Sequence, residues 1–342
     1  MSTPSNVTPT TIHSRDTVKT RVLIISDTHA ADLFDEDEDS HAFRKPLPKA
    51  DILLHCGDLT KIGKLHEYED TIAMLSSVDA ELKLVIAGNH DITLDEEFYA
   101  KEGRRMHRDR YREGAPKSAN EIWTGQLAKD AGITYLEEGT YDFGLSSGAK
   151  FKVYASPYQP EFCNWAFPYF HEKGNDEDRF NPPSETPKGS KNIAQNPIPE
   201  FPEVDIIMTH GPPYGIRDET SGGEKVGCKH LLSASRRARP RLHAFGHIHE
   251  GWGAERVKWN FPSVVEKLSQ WNVKSVKSLE HIEVEKEKVI AERAAYINAS
   301  KDGPSPLAVG EETLMVNASI MDLFYRPIHA PWLVDIDLPV GT

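Results

Sequence analysis

The sequence contains few cysteines and lacks a long apolar run. Its cysteines, Cys56, Cys163 and Cys228, lie far apart and form an odd set, which favours reduced thiols in a cytoplasmic compartment over a disulfide framework. It has neither a run of about eighteen apolar residues nor an N-terminal apolar stretch of about seven, so we expect no membrane span and no secretory leader. The expected location is the cytoplasm.

Positive charge is also scarce. Lys and Arg number 40 against 53 Asp and Glu, which gives a formal net charge of -13. The basic tract that stands out is SRRARPR at 235–241. A protein that binds a nucleic-acid backbone usually carries a basic face, so this balance disfavours nucleic acid as a partner. The hydrophobic fraction of 38% is nevertheless sufficient for a core.

Short apolar runs recur along the chain from residue 21, and each ends in a polar cluster. They read RVLIISDTH, DILLHCGDLT, LKLVIAGNHD, KVYASP, VDIIMTHGPP and RLHAFGHIH. Helical periodicity lies between them at 65–75, 120–131 and 228–238. Strands buried on both faces that alternate with helices indicate an α/β fold.

The chain is expected to consist of a disordered leader at 1–20, rich in Ser, Thr and Pro, and one domain at 21–342. Residues 172–200 are rich in Pro, Gly and Asn, which is typical of a mobile excursion. Residues 263–297 carry an apolar stripe at rough helical spacing, so we predict a helical insertion at about 256–310. Strand character returns after it in LMVNASIMD and PWLVDIDLP, which puts the insertion inside the domain.

Carboxylate, amide and imidazole side chains follow the strands at five separate junctions between strand and loop. Ligands of open α/β sheets gather beyond the carboxyl ends of the strands, so we expect these side chains to converge. Oxygen and imidazole donors suit divalent cations, and their number predicts two ions with one carboxylate bridging them. The predicted set is Asp27, His29, Asp58, Asn89, His90, His210, His247 and His249. The remaining histidines, including His171 and His230, match no motif and are expected to be structural or solvated.

The motifs DTH, GDLT, GNHD, THGPP and GHIH, in this order, resemble the five signature motifs of the calcineurin-like metallophosphoesterase superfamily. SPYQPEFCNWAF, KVGCKHLL and FGHIHEGWG are similar to stretches of its branch of metallophosphoesterase domain-containing proteins. The resemblance covers roughly 21–255 and resumes at 313–338. It implies a four-layer α-β-β-α metallophosphoesterase sandwich, here with the helical insertion near the C-terminus.

The resemblance also implies a role for each motif residue. One metal would be held by Asp27, His29, Asp58 and His249, and the other by Asp58, Asn89, His210 and His247. His90 would contact the phosphate and assist the leaving oxygen, while a hydroxide bridging the two metals attacks phosphorus in line. Mn, Fe, Zn, Co and Ni all suit this mixed nitrogen and oxygen ligation, so the identity of the two divalent ions stays open.

The second motif departs from that of the protein phosphatases. Where their motif continues as GDxVDRG, this chain has GDLTKIG. Lys61 and Ile62 therefore replace the aspartate that orients the catalytic histidine and the arginine that grips phosphate. This replacement disfavours a Ser/Thr protein phosphatase. A diester carries less charge on its non-bridging oxygens than a monoester does, so it depends less on such an arginine.

Aromatic residues flank the motif loops and could stack on a nucleobase of the substrate. Tyr214 and Trp252 are the candidates for substrate binding, together with Phe162 and Trp165. Aromatic residues at such positions also serve as loop packing, and the sequence leaves both roles open.

The sequence predicts a dinuclear metal-dependent phosphohydrolase, and it favours a phosphodiesterase that acts on small phosphoesters such as cyclic nucleotides. One alternative is a weakly active metal-binding scaffold that holds a protein partner through the helical insertion. Others are a phosphomonoesterase or a nuclease of the same fold. The intact ligand set argues against the scaffold, and the missing basic track argues against the nuclease. No membrane partner is expected.

Overall fold

The computed structural model describes residues 16–172, 174–260 and 276–341. Its strands, in chain order, are β1 Thr17–Ile25, β2 Ala50–Cys56, β3 Ala80–Ile86, β4 Ile133–Tyr135, β5 Gly139–Gly144, β6 Lys150–Ser156, β7 Gln159–Pro160, β8 Pro168–Tyr169, β9 His171–Glu172, β10 Asn175–Asp178, β11 Lys191–Asn192, β12 Ile206–Thr209, β13 Leu242–Phe245, β14 Gly253–Trp259, β15 Val276–His281, β16 Ala295–Asn298, β17 Glu312–Asn317 and β18 Trp332–Pro339. Its α-helices are α1 Leu65–Ser76, α2 Glu96–His107, α3 Ala115–Thr124, α4 Gln126–Asp130, α5 Lys229–Ala238 and α6 Lys286–Glu292.

Two large sheets form the centre of the fold. One is six-stranded in the order β16-β18-β1-β2-β3-β4, and the other is seven-stranded in the order β15-β14-β17-β13-β12-β6-β5. Strands β1, β2, β3 and β4 run parallel, as do β6, β12, β13 and β17 in the other sheet. The carboxyl ends of these strands therefore meet at one edge of each sheet, where loops from different strands converge.

Alternate residues of the strands face different layers, as the pleat requires. Ile24 of β1 enters the core between the two sheets, whereas its neighbour Leu23 packs with Tyr68 of α1 on the outer face. On the second sheet, Ile207 of β12 packs with Leu231 of α5. Helices thus cover the outer faces of both sheets, and the predicted α/β sandwich is confirmed.

The helical insertion predicted at about 256–310 is wrong over the residues that the structure describes. Val276–His281 is a strand that pairs antiparallel with β14 at the edge of the seven-stranded sheet. Ala295–Asn298 is a strand that pairs parallel with β18 at the edge of the other sheet. Within the described part of this region the α-helix is Lys286–Glu292, and residues 261–275 lie outside the described ranges.

The apolar stripe led to a wrong prediction of helix because these segments form their hydrogen bonds with sheet edges that are distant in sequence. Periodicity within one segment carries no information about such an edge. Ile297, for example, is buried in the core between the sheets, so its apolar character serves a strand and not a helix face.

Three further features of the secondary structure differ from the sequence-based expectations. Strand β1 begins at Thr17, inside the stretch expected to be a leader. The helix expected at 120–131 is two helices that meet at Gly125. Helix α2 was not expected from periodicity; Asp95 caps its first turn by accepting a hydrogen bond from the Phe98 amide.

No helix in 16–172, 174–260 or 276–341 has the length and apolar character of a membrane span.

Candidate metal centre

The motif loops follow β1, β2, β3, β12 and β13, and several of their polar residues adopt unusual backbone geometry. Asp27, His29, Asp58 and His247 have positive φ angles of 56, 46, 54 and 68°. A residue with a Cβ rarely occupies this left-handed region, and such residues concentrate at functional sites. The loops therefore hold strain that turns these side chains toward a common point.

Two glycines allow the loops to approach one another closely. A Cβ on Gly246 would overlap the carboxylate of Asp27, and a Cβ on Gly88 would overlap Asp58. The motifs GHIH and GNHD thus need glycine because Asp27 and Asp58, which belong to other loops, occupy the space of its missing side chain.

The buried carboxylate of Asp58 lies between imidazoles of different loops. Its Oδ2 is 3.7 Å from His29 Nε2, and its Oδ1 is 3.5 Å from His210 Nε2. Oδ1 also accepts a hydrogen bond of 2.8 Å from the His90 amide, which fixes the orientation of the carboxylate. One oxygen faces each side of the cluster, which is the arrangement expected of a bridging ligand.

On one side of Asp58 lies a group formed by Asp27, His29 and His249. His249 Nε2 is 3.5 Å from Asp27 Oδ1 and 3.5 Å from His29 Nε2. The Asp27 carboxylate also accepts hydrogen bonds from the His247 amide and from the Ser319 hydroxyl at 2.8 Å. These contacts hold one carboxylate and two imidazoles around a single small volume.

On the other side lie Asn89, His210 and His247. His210 Nε2 is 2.8 Å from Asn89 Oδ1, and the rings of His210 and His247 have centroids 4.9 Å apart. The structure therefore brings together all the side chains that the sequence predicted as metal ligands. Their individual roles as ligands stay predictions.

Backbone carbonyl groups determine which nitrogen of three imidazoles carries the proton. A carbonyl oxygen only accepts hydrogen bonds, so each Nδ1 that contacts one must be protonated, and the Nε2 of a neutral ring then presents a lone pair. The three contacts are His29 Nδ1 to Thr60 at 2.9 Å, His210 Nδ1 to Cys56 at 2.9 Å and His249 Nδ1 to Asp322 at 3.0 Å.

The consequence is that acceptor atoms face each other at short range. The lone pairs of His29 Nε2 and His249 Nε2 lie 3.5 Å apart, and the lone pair of His210 Nε2 faces the amide oxygen of Asn89. Between neutral rings such contacts are repulsive, and a cation bound between the acceptors relieves them. Hydrogen bonds from the second nitrogen to carbonyl oxygens are also what metal-ligating histidines usually make. The donor set therefore fits divalent cations.

For His249 the hydrogen bond and charge of Asp27 outweigh burial and raise the pKa. Burial places the other imidazoles of the predicted ligand set in the neutral form that a metal ligand requires. It lowers the pKa of His29 and His247 well below the usual value, and it lowers that of His210. Burial raises the pKa of Asp58, and the negative charge of Asp27 adds to this effect. For Asp27 burial acts in the same direction, but the hydrogen bond and charge of His249 outweigh it and hold the pKa low.

His90 finds its supporting group in the loop that departs from the protein-phosphatase motif. Its Nδ1 donates to the backbone carbonyl of Lys61 at 2.7 Å, while the Lys61 side chain is exposed. The ring stacks on Trp165, with centroids 4.0 Å apart and planes 23° apart. Burial lowers the pKa of His90 to about 4. His90 therefore presents an unprotonated Nε2 toward the site at neutral pH.

Asp91, which the sequence reasoning did not single out, organises the loops beneath the cluster. Its buried carboxylate accepts hydrogen bonds from the amides of Leu59, Thr60 and Gly88 and from the Thr60 hydroxyl. It thereby ties the GDLT and GNHD loops together. The available signal was its place in GNHD, directly after His90.

Tyr325 was also missed. It lies in the loop after β17 at a positive φ of 57°, and its hydroxyl is 3.4 Å from His90 Nε2. Its ring stands edge-on to that of His29, with centroids 4.7 Å apart. Tyr325 lies beyond the last motif, so nothing local in the sequence marked it.

A cavity of about 340 Å³ opens over the cluster. Asp58, Asn89, His90, His247 and His249 form its floor, and its walls include Glu161, Phe162, Val226, Glu250, Leu323 and Tyr325. Phe162 is half exposed and stands edge-on to His247. Of the aromatic residues considered from sequence, Phe162 is thus the one that the cavity lining includes.

Tyr214 and Trp252, the predicted substrate-binding residues, do not line this cavity. Trp252 packs parallel to His329, and its indole Nε1 donates to the Ala330 carbonyl at 2.9 Å. These two partners lie in the loop that leads into β18, so Trp252 packs against that loop. Tyr214 lines a neighbouring cavity, where Lys229 Nζ is 5.1 Å from the centre of its ring.

Comparison with known proteins matches residues 20–251 to the family described as "Calcineurin-like phosphoesterase". "Metallophosphoesterase domain-containing protein 1" of Homo sapiens and its Mus musculus counterpart are each 34% identical over 238 residues. The match covers 68% of this chain and 62% of theirs. "Probable rhamnogalacturonate lyase C" of Emericella nidulans is 32% identical over 73% of this chain, but the match covers only 20% of that protein.

Among solved structures, purple acid phosphatase PPD1 from yellow lupin (Lupinus luteus) seeds is similar at a TM-score of 0.33 and 11% identity. The match covers 89% of this chain and 44% of that chain. The family match spans most of the chain and includes every motif loop that carries the cluster. This chain belongs to the calcineurin-like phosphoesterase family.

Proposed function

We propose that this chain is a metal-dependent phosphohydrolase that binds two divalent cations and prefers small phosphodiesters, such as cyclic nucleotides. The observation that carries the proposal is the position of Asp58, whose two carboxylate oxygens face the imidazoles of His29 and His210 on opposite sides. One metal would be held by Asp27, His29, Asp58 and His249. The other would be held by Asp58, Asn89, His210 and His247. When bound, such ions polarise phosphoryl oxygens and lower the pKa of water, which is chemistry suited to phosphoester hydrolysis.

The lining of the cavity supports a diester over a monoester. None of the described residues that line it is a lysine or an arginine, whereas two glutamates, Glu161 and Glu250, are part of the lining. A monoester dianion concentrates more charge on its free oxygens and gains more from a guanidinium group. A diester monoanion suits a cavity whose charge comes mainly from the metal floor.

The outer wall supports a substrate with an apolar or planar group. Phe162, Val226, Leu323 and Tyr325 contribute apolar surface at the cavity mouth. An aromatic edge and aliphatic side chains can pack on a nucleobase without reading its hydrogen-bonding edge. This surface favours an ester of a nucleoside over a simple sugar phosphate.

His90 is the protein group placed to assist the leaving oxygen. Its Nδ1 is occupied by the Lys61 carbonyl, so its Nε2 is the atom free to accept a proton. The Tyr325 hydroxyl lies 3.4 Å from that nitrogen and can donate to it. The pair can thus hold a proton at the edge of the site.

The test compares bis(p-nitrophenyl) phosphate with p-nitrophenyl phosphate, using purified protein in Mn²⁺ at neutral pH. We expect kcat/KM for the diester to exceed that for the monoester, and we expect hydrolysis of 3′,5′-cyclic AMP. Asp58→Ala, assayed in parallel, controls for contaminating hydrolases and should show no activity above background.

Two results would count against different parts of the proposal. A clear preference for the monoester would overturn the diester assignment and leave the metal centre intact. Equal activity of the wild-type protein and Asp58→Ala would overturn the metal-dependent hydrolase itself.

A further inference from the structure

A second cluster of metal-binding side chains lies outside the motif loops. It consists of His171, Asp176 and His230, and one nitrogen or oxygen atom from each lies within 4.8 Å of the others. His230 Nε2 is 3.0 Å from Asp176 Oδ1, and His171 Nε2 is 3.3 Å from the same oxygen. For bonds of about 2.0–2.2 Å, ligand atoms of a tetrahedral cation lie about 3.3–3.6 Å apart, so these separations are close to the required ones.

Two structural elements hold these side chains in place. His171 of β9 and Asp176 of β10 are directly opposite each other in an antiparallel pair. His230 lies in the first turn of α5 and is nearly fully buried. Its backbone carbonyl accepts a hydrogen bond of 3.1 Å from the Asn181 side chain, which ties the helix to the segment after β10. The cluster therefore joins the small sheet to the helix.

The Asp176 carboxylate is oriented by a separate contact. Its Oδ2 accepts a hydrogen bond from the Ser190 hydroxyl. That contact leaves Oδ1 for the two imidazoles. One carboxylate oxygen and two imidazole nitrogens form a common donor set for zinc in proteins.

A buried carboxylate beyond His230 provides an independent indication. Asp178 is fully buried, and its Oδ1 accepts hydrogen bonds from Phe180, Asn181 and the Asn181 side chain. Its Oδ2 has no hydrogen-bond partner among the residues that the structure describes and lies 3.8 Å from His230 Nδ1. An unpaired carboxylate oxygen in the interior is costly, so it requires a compensating positive group.

A neutral His230 cannot satisfy both of its carboxylate neighbours. If its Nδ1 carries the proton and turns it toward Asp178, the lone pair of Nε2 faces Asp176 at 3.0 Å. If Nε2 carries the proton, the lone pair of Nδ1 faces the unpaired oxygen of Asp178 instead. A cation bound to Nε2 removes this conflict, and the carboxylate behind the other nitrogen is the usual outer support of a ligating histidine.

We propose that His171, Asp176 and His230 bind a single divalent cation with zinc-like preferences, separate from the metal centre in the motif loops. The cation would clamp β9 and β10 onto the start of α5. Three protein ligands leave a coordination position for a solvent molecule. His171 lines a cavity of about 290 Å³ that shares Pro160, Glu161 and Val226 with the cavity over the motif loops. The clamp therefore lies beside the cavity over the motif loops without lining it.

The experiment counts zinc ions per chain by mass spectrometry of the metal content. Full-length protein is stripped with dipicolinate, reloaded with ZnCl₂ and freed of unbound metal by gel filtration. We expect His171→Ala and His230→Gln each to retain one zinc ion fewer than the wild-type protein. His281→Ala is the matched control. His281 also pairs with a carboxylate, Glu255, at 2.9 Å, but it belongs to no cluster of three metal-binding groups within 16–172, 174–260 and 276–341.

The same count in an Asp58→Asn background separates this proposal from the proposed function. The Asp58→Asn protein should retain one zinc ion more than the protein that carries both Asp58→Asn and His171→Ala, whatever number of zinc ions the motif loops retain. The Zn²⁺-dependent rise in Tm at saturating metal should likewise be smaller by about 3–5 °C when His171→Ala is present. Circular dichroism verifies the fold, and the more exposed His171 serves as the test position if His230→Gln does not fold.

Equal zinc counts in folded wild-type protein and His171→Ala would overturn the proposal.

Discussion

The metal centre in the motif loops and the cluster of His171, Asp176 and His230 contain the same kinds of side chain on different backbones. In the motif loops, ligand candidates such as Asp27 and Asp58 lie at positive φ. In the second cluster, the residues lie on two antiparallel strands and in the first turn of a helix. Strained backbone is thus concentrated at the first site.

The number of groups that must converge explains this difference. Side chains from five loops can meet in one small volume only if several residues leave the common backbone regions. Three side chains from two packed elements meet through ordinary strand pairing and helix packing. A site with many ligands therefore depends on a costly loop scaffold, whereas a site with three ligands needs little beyond a matching register. Substitutions in the motif loops should therefore have larger effects on activity and stability than matched substitutions in the second cluster.

The largest effect is expected for Asp58→Ala. Loss of the residue that faces both ligand groups should lower kcat/KM for the diester by more than about 10³-fold, because metal ions supply several kcal/mol of charge stabilisation. Asp176→Ala is the matched change in the second cluster. It should leave kcat/KM within about threefold of the wild-type value, since the Asp176 carboxylate does not line the cavity over the motif loops. Comparable losses in both variants would show that the two clusters act as one site.

His90→Ala should lower kcat by about 10²–10⁴-fold with a smaller change in KM, the usual scale for assistance by a positioned acid or base. His66→Ala, at an exposed position of α1, is the control and should retain wild-type kinetics. Steady-state kinetics with the diester measure both parameters. A loss below about threefold would remove His90 from the proposed chemistry while leaving the metal count unchanged.

Asp91→Ala should destabilise the fold by about 2–4 kcal/mol, because several buried donors of the motif loops would lose their acceptor. Ser190→Ala removes a single hydrogen bond to Asp176 and should cost about 1 kcal/mol. Urea unfolding of metal-free protein measures the free energies of unfolding of both variants. If Ser190→Ala proved the more damaging, the second cluster and not the motif loops would contain the more demanding scaffold.

The smallest effect is expected for Tyr325→Phe. Removal of a hydroxyl that contacts His90 Nε2 should lower kcat/KM by about three- to tenfold, the equivalent of one ordinary hydrogen bond. Phe324→Ala is the neighbouring control, because Phe324 is 78% exposed. An unchanged rate for Tyr325→Phe would restrict Tyr325 to forming the cavity wall.

The ligand set of the motif loops was predictable because each side chain directly follows an apolar strand. Asp27 and His29 follow β1, and Asp58 follows β2. Their convergence required only that the parallel strands end at one edge. The same reasoning could not find His171 and His230, because neither follows such a strand or belongs to one of the five signature motifs. Their proximity depends on how β9 packs on α5.

The sequence by itself determined the layered α/β architecture and the residues at the strand ends, because buried strands and their polar termini are local features of the chain. Tertiary structure alone decided that Val276–His281 and Ala295–Asn298 complete the edges of the two sheets. It also decided that the Lys61 carbonyl, and not its side chain, supports His90. The physical reason is common to both: hydrogen bonds between segments distant in sequence depend on three-dimensional packing, which no local pattern encodes.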